Sequence, residues 1–123
     1  MEYMLLINAE GEPGSGSPEE MEAMEAAFGK YTEDITASGV LVGADRLQLP
    51  TAATTVRLRD GEAVTTDGPF AETKEWLAGY YKIDVPTLDD AIEWASRMPS
   101  LQRGGSVEVR PVFPVPADAP STP

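Results

Sequence analysis

The hydrophobic positions of this chain fall in short blocks, and the spacing within each block names the element it predicts. Tyr3-Met4-Leu5-Leu6-Ile7 is a compact apolar run and reads as a buried strand. Residues 9 to 17 are rich in Gly, Ser and Pro and read as a loop. Ser17-Pro18-Glu19-Glu20 is a helix start: Ser17 can cap, Pro18 suits the first helical position, and Glu20 completes a capping box. Met21, Met24, Phe28, Tyr31 and Ile35 then recur every three or four residues as one apolar stripe, which Ser38-Gly39 ends.

Val40-Leu41-Val42 predicts a short strand, followed by a loop through Asp45, Arg46 and Gln48. Thr54 to Arg59 alternates, with Val56 and Leu58 on one face and Arg57 and Arg59 on the other. Asp60-Gly61 is tight-hairpin chemistry, and Glu62 to Thr66 is the returning strand. Leu77 to Val85 is a further strand, with Tyr81, Ile83 and Val85 opposed to Tyr80, Lys82 and Asp84. Thr87 caps a second helix with Leu88, Ala91, Ile92 and Ala95 as its buried stripe, and Pro99 stops it. Ser106 to Phe113 is the last strand, with Val107 and Val109 inward and Glu108 and Arg110 outward. Residues 1–113 make one domain, and Pro114 to Pro123 is a Pro-rich tail expected to be disordered.

The order strand, helix, hairpin, strand, helix, strand predicts an α+β fold. Two helices cover one face of an antiparallel sheet in a ferredoxin-like arrangement. The second sheet face needs a cover, so a homodimer is expected.

Charge and missing residue types narrow the chemistry. Nine basic against 21 acidic residues give a net charge of −12, which repels nucleic acid and anionic membranes. No basic patch offsets it. There is no His and no Cys, which excludes the usual triads and disulfides and argues against zinc. Gly104-Gly105 lacks the Lys and Ser/Thr of a phosphate loop, and no other cofactor motif is present, so no cofactor or metal is expected. The N-terminus lacks the basic and long apolar regions of a signal peptide, and no run is long enough to span a bilayer. A cytoplasmic location is the expectation.

Candidate chemistry concentrates in Asp67-Gly68-Pro69-Phe70-Ala71-Glu72-Thr73-Lys74-Glu75. Asp67-Gly68-Pro69 is turn chemistry, Phe70 is an apolar anchor, and Ala71 to Glu75 can form one helical turn. Asp67, Glu72 and Glu75 are the candidate acids or bases, because a carboxylate is what remains for proton transfer without His. Asp67, Gly68, Pro69, Phe70, Glu72, Thr73 and Lys74, with Arg110 from the last strand, are the candidate ligand-binding residues. The alternative reading is a rigid connector whose charges are solvated or paired. Arg110 has the same duality, since Glu108 shares its face. Tyr80 and Tyr81 point to opposite sheet faces, so one is core and the other could stack a ligand or meet a partner, and Asp45 with Arg46 could edge a pocket. Trp76 and Trp94 read as packing residues.

The nine-residue segment resembles the signature of the DGPF branch of the YCII-related family. The likeness extends to Tyr3–Ile7, Gly39-Val40-Leu41, Leu47 to Pro50, Thr54–Arg57, Gly79-Tyr80-Tyr81, Ile83-Asp84-Val85 and Gly105 to Val112, covering residues 1 to 113. The resemblance implies a dimeric α+β barrel of ferredoxin-like subunits in a small cytoplasmic bacterial protein. It also implies a gene neighbourhood often shared with extracytoplasmic-function sigma factors. A His–Asp acid–base pair has been proposed for founding members, but this chain has no His, so that pair does not carry over.

Three functions stay open at this stage. One is a homodimeric small-molecule-binding or regulatory module, with a small polar ligand and a sigma-factor association. Another is an enzyme using carboxylate acid–base chemistry in a dimer cleft. The third is a purely structural signature.

Overall fold

The computed structural model describes residues 1–68 and 74–115. Expectations for Pro69, Phe70, Ala71, Glu72 and Thr73, and for the tail from Pro116 onward, lie outside the described residues.

Among the described residues eight helices and strands follow one another: β1 (Glu2–Glu10), α1 (Pro18–Ser38), β2 (Leu41–Arg46), β3 (Thr54–Arg59), β4 (Glu62–Asp67), β5 (Glu75–Asp84), α2 (Leu88–Ser96) and β6 (Ser106–Pro111). Strands β2, β5, β1 and β6 form one sheet in that order, every neighbouring pair antiparallel. With α1 and α2 this is the β-α-β-β-α-β ferredoxin-like fold. The hairpin β3–β4 is inserted between the two middle strands of that motif and forms a separate two-stranded sheet.

Local chemistry sets the boundaries. Ser17 Oγ accepts from the Glu20 N–H while the Glu20 carboxylate accepts from the Ser17 N–H, the reciprocal box that starts α1. Gly39 ends that helix at φ 82°, a left-handed cap that glycine takes without strain. Thr87 and Asp90 repeat the box at α2. Asp60 and Gly61 both take positive φ, as the tight turn joining β3 to β4 requires.

Both helices pack on the same face of the four-stranded sheet. Between them lie Tyr3, Leu5, Ile7, Tyr81, Ile83 and Val85 from the strands, with Tyr31, Ile35, Ala91, Ala95 and Met98 from the helical side. Tyr31 meets Tyr81 and Trp94 edge-on at 5.2 and 6.0 Å, and its hydroxyl donates to the Trp94 carbonyl at 2.8 Å. Burial of the Tyr31 ring raises its phenol well above the ordinary tyrosine range. Among the described residues no charged side chain is buried.

Several expectations shift. β2 runs on to Arg46, because Gly43 to Arg46 pair with Gly79 to Lys82 after a bulge. Ala91 and Ala95 are buried, but Leu88 and Ile92 are each 47% exposed. Small residues let α2 approach the sheet and leave its larger ones at the rim. Met21, in the first turn of α1, is half exposed. Glu75 is the first residue of β5, paired with Glu10, so the helical turn expected up to it does not include it. Two short 3-10 turns, Pro50–Ala52 and Pro99–Arg103, were not foreseen.

Candidate functional site

The sheet face turned away from the helices is built by alternation. Tyr3, Leu5 and Ile7 point to the core, so Glu2, Met4 and Leu6 point the other way; on β5 the same rule turns out Tyr80 and Lys82, while Ala78 stands at the bulge and packs against the core. Register places Leu6 beside Tyr80 and Glu108, and Met4 beside Lys82 and Arg110. The face therefore has an apolar centre and a polar margin. No helix or strand covers it among the described residues.

Its margin is internally paired. The Tyr80 hydroxyl donates to the Asp45 carboxylate at 2.5 Å. That bond is the main cause of the raised Tyr80 phenol, followed by burial and by the Asp45 charge. Lys82 lies 3.4 Å from Glu2, and the N-terminal amine bonds Asp84 at 3.0 Å. Arg110 bonds Glu108 through Nε at 2.6 Å, with a second contact from its guanidinium.

Backbone fit holds Asp45 in place. Gly79 sits opposite Arg46 on one side and Ile7 on the other. A Cβ there would stand 2.7 Å from the Asp45 carbonyl, so only glycine lets β2 come this close. The sequence pattern ends β2 at Val42 and so does not bring Asp45 to Tyr80. The signal was present in the small residues Gly43 and Gly79, which permit the close pairing that brings Asp45 opposite Tyr80.

The described parts of the nine-residue segment lie elsewhere. Asp67 ends β4, opposite Thr54, and is exposed. Gly68, at φ 97°, donates its N–H to the Ala53 carbonyl at 2.7 Å, and its own carbonyl accepts from Thr55 at 2.9 Å. The Lys74 carbonyl accepts from Gly11 at 3.3 Å. Arg110 is not brought to them. It pairs with Met4, whereas Glu75 pairs with Glu10, about 20 Å further along β1. The remaining candidates, Pro69, Phe70, Glu72 and Thr73, lie outside the described residues.

Beside Gly68 and β5 opens a groove of about 490 Å³ lined by Leu47, Gln48, Leu49, Pro50, Ala52, Ala53, Trp76 and Leu77. Trp76 is fixed at its edge by a ring N–H bond to the Gly11 carbonyl at 3.1 Å. No cluster of metal-ligating side chains occurs among the described residues. Among the described residues no helix is long and apolar enough to cross a membrane.

An uncharacterised protein of Rhizobium meliloti (strain 1021) is 40% identical over 114 residues, covering 89% of both chains. A family model described as the YCII-related domain matches residues 1–116, which takes in every element of the sheet, both helices and the inserted hairpin. The chain belongs to the YCII-related family.

Proposed function

We propose that this protein is a homodimeric binding module for a small polar molecule, with its site on the open sheet face. One observation carries the reading: the Tyr80–Asp45 hydrogen bond stands at the margin of a face, uncovered among the described residues, whose centre is Met4 and Leu6. The phenol proton is committed to Asp45, so the pair offers only acceptor atoms outward. Such a pair suits a ligand bearing hydroxyl, amine or amidinium donors against an apolar floor. Pairing of two such faces around a twofold axis would enclose the site as a cleft and supply the missing cover.

The Asp67–Glu75 residues favour placing the chain in the DGPF branch, and with it a cytoplasmic, regulatory setting. A net charge of −12 opposes contact with nucleic acid phosphates, so a link to transcription would run through a protein such as a sigma factor. Pull-down of co-purified sigma factor tests that link separately.

Light scattering after size-exclusion chromatography should give twice the chain mass, and a monomer at micromolar concentration defeats the dimer. A thermal-shift screen against small hydroxylated and amine metabolites should find a stabilising ligand whose effect is lost in Asp45→Asn. If no such ligand appears, or if Asp45→Asn responds as the native chain does, the binding reading fails.

A further inference from the structure

The open sheet face carries a local imbalance of charge. Glu2, Asp84, Glu108 and Asp45 stand on it around Met4 and Leu6. Glu2 is paired by Lys82, Asp84 by the N-terminal amine and Glu108 by Arg110. Asp45 has the neutral phenol of Tyr80, which donates to its Oδ2, and no ion pair among the described residues. The adjacent Arg46 is turned to α1, where it bonds Glu25 at 3.0 Å. Residues 69–73 and 116–123 contain no Lys or Arg, so they hold no counter-ion for Asp45 either.

Space adjoins that charge. Gly43 lies two residues before Asp45 on β2 and opposite Lys82, so a side chain there would share the open face. A Cβ at Gly43 would meet nothing within 4 Å. Lys82 leans away from it, across to Glu2 of β1 at 3.4 Å. The open position is thus flanked by Asp45 and Tyr80, whose Oδ1 and phenol oxygen are left as acceptors, and Met4 and Leu6 lie on the next strand over.

We infer that the ligand of this face is an organic monocation: a primary ammonium above Gly43 that donates to Asp45 and Tyr80, on an uncharged apolar body lying over Met4 and Leu6. The inference rests on the binding reading above and narrows it from hydrogen-bond donors in general to a single positive charge. Charge decides among the donor classes. An alcohol offers a proton but leaves the carboxylate uncompensated. An ammonium offers both, and charge-assisted hydrogen bonds are the stronger. A zwitterion would bring a carboxylate, for which Lys82 and Arg110, already engaged with Glu2 and Glu108, offer no free cation. A polyamine would bring a second charge to a face with no second open carboxylate. Pairing two such faces sharpens the demand, because a carboxylate enclosed without a counter-charge is costly.

Calorimetric titration of the whole chain with phenethylamine, phenethyl alcohol and phenylalanine tests this, since the three share a skeleton and differ in charge. The amine should bind about tenfold more tightly than the other two. Its binding should weaken with added salt and lose its advantage in Asp45→Asn. Gly43→Val fills the open position without removing a charge. It should also weaken the amine while the ultraviolet titration of Tyr80 stays as in the native chain, which separates a blocked seat from a disturbed Tyr80–Asp45 pair. Amine binding that survives Asp45→Asn or Gly43→Val overturns the inference. An alcohol or amino acid that binds as tightly as the amine, and needs Asp45, overturns the monocation and leaves the binding reading standing. If none of the three binds, the stabilising ligand from the metabolite screen decides: a monocation supports the inference and a neutral or zwitterionic ligand overturns it. No ligand in either experiment overturns both readings.

Discussion

The helix-covered half of the molecule and the β3–β4 hairpin use the same alternation to opposite effect. On β1 from Tyr3 to Ile7 and on β5 from Gly79 to Ile83 every second residue is buried, and Leu5 and Ile83 are completely so. On β3 the alternation is as regular, yet every residue but Thr55 is exposed. A period-2 pattern therefore tells which residues share a face. It does not tell whether the same chain supplies the cover. In the first region α1 and α2 supply it; in the second, nothing among the described residues does.

The largest test of this contrast is a pair of truncations. Ile83→Ala should lower the unfolding free energy by about 2–5 kcal/mol, through lost burial and the cavity left behind. Leu58→Ala should change that of the dissociated chain by no more than about 0.5 kcal/mol, as surface changes do. Denaturant titration of both at low protein concentration reads the difference. Equal losses would mean that the hairpin tip is already buried within its own chain.

Gly79→Ala comes next, at about 1–3 kcal/mol, because the added methyl meets the Asp45 carbonyl and something must shift. The same variant should loosen the Tyr80–Asp45 pair. A change in stability with unchanged Tyr80 titration would separate the strand fit from the site.

Ser17→Ala should cost about 1 kcal/mol by removing the cap of α1. The partner in that box has a pH signature. Hydrogen bonds from the Ser17 backbone and then its side chain, with the Arg103 charge, lower the Glu20 carboxyl below its ordinary 4.5. A lowered folded value stabilises above 4.5, and that stability is lost as pH falls through the folded value. Glu20→Gln should flatten this acid-side decline in a pH series of melting temperatures.

The smallest effect is at the site margin. The raised Tyr80 phenol contributes stability below the ordinary 10.0, lost as pH rises through its folded value. Asp45→Asn should bring that phenol back toward 10, seen by ultraviolet titration against Tyr80→Phe. The overall stability of Asp45→Asn should barely move, because the Asp45 side of the pair is exposed.

Much of the fold was legible because local chemistry and tertiary packing agree. Ser17-Pro18-Glu19-Glu20, Thr87 with Asp90, and Asp60-Gly61 each specify their own element. Where they disagree, the sequence misleads. Gly43 to Arg46 carry no alternation, and only pairing with β5 makes them a strand. Leu88 and Ile92 have the right spacing for a buried stripe, but Ala91 and Ala95 decide how α2 sits. The candidate site suffered most from the first error. A strand read as ending at Val42 leaves Asp45 in a loop and hides its partner.

The hydrogen bond from Gly68 to Ala53 clasps the two feet of the hairpin together at 2.7 Å. β2 and β5, which flank the inserted stretch, are antiparallel neighbours that a tight turn can join directly. The fold thus holds an editable joint. A chain spliced from Arg46 to Leu77 through a short Asn-Gly turn would keep the four-stranded sheet and its helices while shedding the hairpin and the groove. Closing a shorter loop costs less chain entropy, so the sheet itself places little constraint on what this joint carries. Lineages or designers can exchange the appendage while the scaffold stays in register.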